Sequence, residues 1–403
     1  MAKKIIIVSH SMEIGGAERS LIGLLHALDP QKVDIDLFLL RHEGELYGQI
    51  PQFVNILPEI PEYTVLARPM KTTLKEGHYI LTVARMIGKV MAWSYDKRKH
   101  YTNSDVALEY SHKYTWRLMP EIMSDYTYDL AISFLTPHYI VANKVNAKKK
   151  IAWIHTDYSE LNINETSEYR MWNCYDNIIS ISEAVTKSFT RTFPKLSGKI
   201  IMIENILSKE LILNQANAYN VLDEMPRDGA YRFLSIGRFC YAKNFDNIPE
   251  ICSRLIQLGV NLKWYIIGFG SDEDLIKQKI KQWNMERYVI ILGKKENPYP
   301  YIRECDWYIQ PSRFEGKAVT VCEAQILHKP VIIANYYTAK SQLGNGYDGM
   351  IVEQENEKCA KEISNIVENI RLRRYLIENM SKEDYSNKKQ IQKLYSILEG
   401  GNI

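Results

Sequence analysis

Arg238 and Lys243 stand five positions apart in Gly237-Arg238-Phe239-Cys240-Tyr241-Ala242-Lys243-Asn244, directly after the apolar run 231–236. In open α/β sheets, loops at the carboxyl ends of strands face the ligand crevice. Two cations there can straddle a diphosphate, the arginine through its planar fork of donors and the lysine as a compact charge. Glu315 and Glu323 lie eight apart in Pro311-Ser312-Arg313-Phe314-Glu315-Gly316-Lys317-Ala318-Val319-Thr320-Val321-Cys322-Glu323-Ala324. There a strand-like run (307–310) ends and a helical pattern starts near Ala318. Free N–H groups at a helix's amino end favour a phosphate. Carboxylates on either side of that point can accept hydrogen bonds from paired sugar hydroxyls.

Other candidates are weaker taken singly. Gly268-Phe269-Gly270 follows the run 262–267, but a G-x-G without its third glycine is a poor dinucleotide fingerprint. It permits close approach of backbone, whether to a ligand or to a neighbouring loop. His155 follows the run 151–154, and a lone histidine at a strand end is as often structural as functional; His10 ends the first run and ranks below it. No Asp-x-Asp follows a strand where a metal ion could be held, since Asp34-Ile35-Asp36 opens the second run. No metal is expected. The six cysteines form no C-x-x-C pair and sit at no zinc-like spacing, which points to thiols in a reducing cytoplasm.

The elements that must position these residues alternate in a regular way. Continuous apolar runs at 5–8, 35–40, 130–134, 151–154, 177–180 and 200–203 read as strands buried on both faces. A second series follows at 231–236, 262–267, 289–292, 307–310 and 331–334. Helical patterns intervene at 17–28, 246–258, 272–283 and 320–327. This is an α/β chain of two Rossmann-like, doubly wound domains. Asn, Asp and Pro crowd 208–229, which reads as the linker. The expected division is an N-terminal domain over 1–207, a C-terminal domain over 230–380, and a terminal helix over 381–403 packing back on the first domain. A chain of 403 residues with 46% apolar and 25% charged residues is not disordered, and a net charge of +3 is too mild for a nucleic-acid binder. No apolar stretch is long enough to span a bilayer. The run after Lys3 and Lys4 is too short for a signal peptide and reads as the first strand.

The strand rhythm lapses over 63–120, where ten Lys/Arg face four acids. Ile80, Leu81, Val83, Ala84, Ile87, Val90, Met91 and Trp93 form an apolar series there, with Arg85 and Lys89 between them. Such a basic insertion is either a solvated helix with its apolar side in the core or a helix lying on an anionic membrane surface.

Taken in order, Gly237-Arg238 with Lys243, Ile267-Gly268-x-Gly270 and Glu315-x7-Glu323 resemble the retaining GT-B glycosyltransferases of family 4. Gly15-Gly16-Ala17-Glu18-Arg19 looks like that family's Gly-Gly-Ala-Glu loop. The resemblance runs over essentially the whole chain and is densest over 237–334. Two departures stand out. Lys317 and Ala318 replace an aromatic and a glycine common in relatives, and Asn205-Ile206 replaces an Asn-Gly turn.

The resemblance implies two domains facing a central cleft, with acceptor binding in the first and nucleotide-sugar binding in the second. Arg238 and Lys243 would hold the donor diphosphate, Glu315 the transferred sugar and Glu323 the nucleotide ribose. The N–H groups of Ala318 and Val319 would meet the distal phosphate, near Gly268, while Gly15 and Gly16 would close over the donor and His155 would sit beside its sugar. The implied reaction is metal- and cofactor-independent transfer, with anomeric retention, of a hexose or N-acetylhexosamine from a UDP-sugar to a hydroxyl of a glycan, polymer or lipid-linked acceptor. The implied setting is cell-surface polysaccharide synthesis, in the cytoplasm or on the membrane's inner face. The alternatives are a sugar-nucleotide epimerase of the same architecture, a non-catalytic partner subunit, and a nicotinamide dehydrogenase. The last is disfavoured because no full G-x-G-x-x-G is present.

Overall fold

The computed structural model describes residues 2–102 and 104–401. It divides into two compact units, Met1–Ile206 with Lys389–Ile403, and Leu207–Lys388.

The first unit holds a seven-stranded parallel sheet in the order β3-β2-β1-β4-β5-β6-β7. Its strands are β1 (Lys3–Ser9), β2 (Val33–Leu39), β3 (Asn55–Ile56), β4 (Leu130–Ser133), β5 (Lys150–Ile154), β6 (Asn177–Ser180) and β7 (Ile200–Met202). Ile5, Ile6 and Ile7 are all buried, as a central strand covered on both faces requires. The stretch 63–120 carries no strand among the described residues. It folds mainly as helices, of which Tyr79–Lys99 is the longest.

The second unit holds a six-stranded parallel sheet, β10-β9-β8-β11-β12-β13. These strands are β8 (Tyr231–Ile236), β9 (Leu262–Ile267), β10 (Val289–Gly293), β11 (Trp307–Gln310), β12 (Val331–Ala334) and β13 (Met350–Val352). Successive side chains feed opposite cores, as strand alternation dictates. Phe233, Trp264, Trp307 and Ile332 join one buried cluster. Leu234, Tyr265, Tyr308 and Ile333 join the other.

The segment 208–229, expected as a linker, is instead part of the second unit. Helix Lys209–Ala216 begins at Ser208, whose hydroxyl caps the Leu211 N–H at 3.3 Å. Ile212, Ala216, Val221 and Met225 are buried in the second unit's core. The Asn and Asp residues that suggested a loop are turn and end residues around a core-packed helix. The terminal helix is shorter than expected, Ile391–Glu399, and belongs to the first unit. There the Tyr395 hydroxyl accepts from the Asp29 N–H at 2.8 Å, and Lys393 Nζ donates to the Met202 carbonyl at 2.8 Å.

Candidate active site

The second unit holds seven of the expected site residues, and the first holds Gly15, Gly16 and His155.

In the second unit, the carboxyl ends of β8, β9 and β11 bring the loops together. Gly237 follows β8, and a Cβ placed on it would lie 3.3 Å from Lys243 Cδ and Cε, so the lysine stem runs over the glycine beside Arg238. Lys243 ends a short 3-10 turn, Tyr241–Lys243, closed by Asn244 in the left-handed region at φ 61°. Asn244 Nδ2 donates to the Pro311 carbonyl at 2.9 Å, tying this turn to the loop after β11. Arg313 reinforces the tie. Its Nη1 and Nη2 fork onto the two Asp246 carboxylate oxygens at 2.9 and 2.7 Å, and its N–H donates to the Ala242 carbonyl at 2.8 Å.

The result is a polar knot centred on Glu315. One carboxylate oxygen accepts from Lys243 Nζ, from Ser312 Oγ at 2.6 Å and from Gln310 Nε2 at 3.2 Å. The Glu315 carbonyl accepts from Thr338 Oγ1 at 2.8 Å. The Lys243 and Glu315 side chains are only 21% and 10% exposed, so the pair is partly desolvated. Arg238, by contrast, is exposed, and among the described residues its guanidinium has no partner. An unengaged cation beside a fixed cation–carboxylate pair is an arrangement ready for an anion.

Gly268 serves the neighbouring loop. At φ 155° a Cβ on it would fall 1.9 Å from the Gly237 carbonyl oxygen, and one on Gly270 would fall 2.3 Å from that of Phe239. The Phe239 N–H donates to the Phe269 carbonyl at 2.7 Å. These glycines allow the β8 and β9 loops to touch, which fixes the backbone on either side of Arg238.

The start of helix Val319–Ile326 is not open along its length. The Ala318 N–H, expected to meet a phosphate, donates to Gln342 Oε1 at 2.7 Å, and Ala318 and Val319 are both buried. Glu323 is fully buried on the same helix, with one oxygen accepting from the Tyr299 hydroxyl at 2.8 Å. Gln310, Ser312, Gln342, Tyr299 and the Arg313–Asp246 fork all escaped the sequence reading. Ser312 and Arg313 stood inside the quoted motif, and only their partners were unreadable.

In the first unit, Gly15 caps helix Gly16–Ala27 in an extended conformation, and its carbonyl accepts from the Arg19 N–H at 3.1 Å. A Cβ on Gly15 would meet a Glu18 carboxylate oxygen at 2.0 Å, so the acid folds back over the glycine. Gly16 is exposed at the helix start. His155 follows β5 with its ring centroid 4.7 Å from that of Phe134. Burial lowers its pKa to about 4, with the Phe134 backbone acting in the opposite direction, so at neutral pH it is an uncharged ring. It lines a cavity of about 150 Å³ together with Trp153, Trp172, Asp105 and Glu168. There Glu168 accepts from the Tyr158 hydroxyl at 2.8 Å and from Trp172 Nε1 at 3.3 Å. Burial raises its pKa to about 7. His10 is likewise held down to about 4 by burial. Among the described residues no three His, Cys, Asp or Glu side chains converge as a metal site would require. None of the described helices is long and apolar enough to cross a membrane.

Residues 223–383 match the family described as glycosyl transferases group 1. One relative is the N-acetylgalactosamine-N,N'-diacetylbacillosaminyl-diphospho-undecaprenol 4-alpha-N-acetylgalactosaminyltransferase of Campylobacter jejuni. It is 29% identical over 152 residues, 37% of this chain and 41% of the relative. Another is the poly(ribitol-phosphate) alpha-N-acetylglucosaminyltransferase of Staphylococcus aureus, 23% identical over 201 residues, 45% of this chain and 41% of the relative. The chain thus spans less than half the length of either. Among solved structures, HepE of Anabaena in complex with UDP superposes with a TM-score of 0.66 at 16% identity, over 98% of this chain and 99% of that one. A TarM mutant of S. aureus, in complex with fondaparinux, alpha-GlcNAc-glycerol and UDP, gives 0.69 at 15% identity over the same shares.

The two parallel sheets and these likenesses give the chain the GT-B fold. Residues 223–383 are similar to the group 1 glycosyltransferase family.

Proposed function

We propose that the chain is a retaining, metal-independent glycosyltransferase. It moves a hexose or N-acetylhexosamine from a UDP-sugar to a hydroxyl of a glycan, polymer or lipid-linked acceptor in cell-surface polysaccharide synthesis. The observation that carries this reading is the fixed Lys243–Glu315 pair beside the unengaged Arg238, at the carboxyl ends of β8 and β11. The relatives' names, which specify a lipid-diphosphate and a polyol-phosphate acceptor, support the acceptor class. The UDP in structures of the same fold supports the donor.

In this reading Arg238 and Lys243 balance the charge that builds on the diphosphate as the bond from the anomeric carbon to the phosphate oxygen lengthens. Preorganised charge of this sort is usually the largest catalytic term. The acceptor oxygen bonds to the anomeric carbon on the face the diphosphate leaves. Its proton passes to the departing phosphate oxygen, and a nucleoside diphosphate is released with configuration retained. Glu315, its carboxylate held in place by Lys243, Ser312 and Gln310, grips a hydroxyl of the transferred sugar. Glu323, one oxygen of which already accepts from the Tyr299 hydroxyl, takes the ribose hydroxyls. The six cysteines are unpaired, consistent with work in the cytoplasm.

Thermal-shift measurement with UDP, GDP, ADP and NAD tests the donor class, because a ligand that binds the native state raises its melting temperature. UDP is expected to stabilise, and stabilisation by NAD alone would overturn the reading. A panel of sugar nucleotides with NMR of the product then fixes the anomer. Release of an altered free sugar nucleotide without acceptor would make the chain an epimerase.

A further inference from the structure

Helix Tyr79–Lys99 is apolar on two opposite faces. Its inner face, Leu81, Ala84, Gly88 and Ala92, is buried against helix Val106–Thr115. Gly88 allows that contact, since a Cβ there would sit 2.8 Å from the Tyr110 carbonyl oxygen. Arg85 turns inward and locks the helix, with Nη1 donating to the Val65 carbonyl and, at 2.8 Å, to that of Arg68, and Nε donating to Ser111 Oγ at 3.2 Å. The outer face carries Tyr79, Ile80, Val83, Met86, Ile87, Val90 and Trp93, all exposed, with Ile80 at 72%, Val90 at 57% and Trp93 at 62%. At 100° per residue these span about 140° of the helix circumference, facing away from the packed residues, over four turns. An apolar stripe of this extent on a surface marks a contact with something else.

The charges around the stripe are of one sign. Lys71, Lys75, Lys89, Lys97 and Lys99 are exposed, and among the described residues none has a carboxylate partner. The segment's acids are engaged elsewhere. Glu76 pairs with Arg68 at 2.5 Å and Asp96 accepts from Ser104 at 2.7 Å. Glu109 is buried and Asp105 lines the cavity of the first unit. Lys97 Nζ lies over the Trp93 ring, 5.2 Å from its centroid. Self-pairing of the stripe between two copies would set Lys97, Arg98 and Lys99 against Lys71 and Lys75, or against one another, with no acid to match. An anionic lipid surface satisfies both the apolar stripe and its basic rim.

We infer that the outer face of helix Tyr79–Lys99 seats the chain on an anionic bilayer, lying in the interface as a preformed helix. This goes beyond the transfer reaction and does not depend on it. The test is co-sedimentation of the full chain with vesicles of phosphatidylcholine, alone or equimolar with phosphatidylglycerol, at low and high salt. Binding is expected only to the anionic vesicles, weakened by salt. It should be abolished in the Ile87→Asp, Val90→Asp double variant and weakened about fivefold by each of Lys89→Gln and Lys97→Gln. The lysine variants leave the apolar face intact and keep the test decisive if the double variant folds poorly. Equal binding to neutral vesicles, or none to either, would overturn the inference. So would a dimer of the native chain that the double variant splits, because a second copy would then cover the stripe. Donor-induced thermal shifts in the same preparations report separately on the transferase reading.

Discussion

Lys243 and Glu315, seventy-two residues apart, share a hydrogen bond and ion pair that joins the loop after β8 to the loop after β11. The pair places a cation and a carboxylate side by side where a donor's diphosphate and sugar would lie. Replacing Lys243 by Met keeps much of its packing over Gly237 but removes the charge. It leaves Glu315 held by Ser312 and Gln310 alone. We expect kcat/KM to fall by about 2 kcal/mol, or roughly thirtyfold. Because the partner carboxylate is mostly buried, the melting temperature should fall as well. Steady-state rates and a thermal melt of the same variant measure both.

Arg238 separates those two effects. It is exposed and, among the described residues, without a partner, so Arg238→Ala should change stability by no more than about 0.5 kcal/mol. Turnover should nonetheless fall by about 2 kcal/mol of barrier if the guanidinium meets the leaving diphosphate. A variant with unaltered kinetics would remove Arg238 from the site.

Gly268→Ala tests the contact between the β8 and β9 loops. The new methyl would fall 1.9 Å from the Gly237 carbonyl oxygen, which belongs to backbone and cannot rotate away. A loss of about 1–3 kcal/mol in stability is expected, from overpacking and a strained φ. Chemical denaturation measures it, and the donor-induced thermal shift should shrink in parallel because Arg238 follows Gly237 directly.

These three positions show what the residues alone could reveal. The runs at 231–236, 262–267 and 307–310 were legible as strands because both faces are buried, which leaves no polar alternation to confuse the pattern. The edge strands Asn55–Ile56 and Met350–Val352 were not, because neither lies in a run of four apolar residues as Ile200–Met202 does. Arg238, Lys243 and Glu315 stood out by type and spacing. What holds them did not: Gln310, Thr338 and Gln342 are ordinary polar residues until the fold decides which backbone they face. Helix Lys209–Ala216 was lost among turn-forming neighbours. In helix Tyr79–Lys99 the apolar residues surround the axis, so periodicity could not tell the packed face from the open one.

Arg313 is such a supporting residue. Its fork onto Asp246 and its N–H bond to Ala242 hold the turn bearing Lys243 against the loop bearing Glu315. Arg313→Met should leave the fold intact while loosening that turn. UDP affinity is expected to drop by about tenfold, the scale of one charge-assisted bidentate bond. Arg313→Lys should recover only part of it, because an ammonium cannot fork. Titration calorimetry of both variants distinguishes the fork from simple charge.

Glu168 gives the first unit a pH signature. Burial raises its pKa from 4.5 to about 7, against the opposing hydrogen bonds from Tyr158 and Trp172. A carboxyl whose folded pKa lies above its unfolded value binds its proton more tightly in the native state. Its contribution is therefore full below about pH 4.5 and is lost as pH rises to about 7. His155 behaves oppositely. With its pKa lowered from 6.5 to about 4, its contribution is present above pH 6.5 and is lost as pH falls toward 4. Glu168→Gln keeps an acceptor for Tyr158 and Trp172 and cannot ionise. Its melting temperature should exceed that of the native chain above pH 7, and the advantage should vanish near pH 4.5. A pH series of thermal melts that showed the same difference at every pH would mean that Glu168 is not buried as an acid.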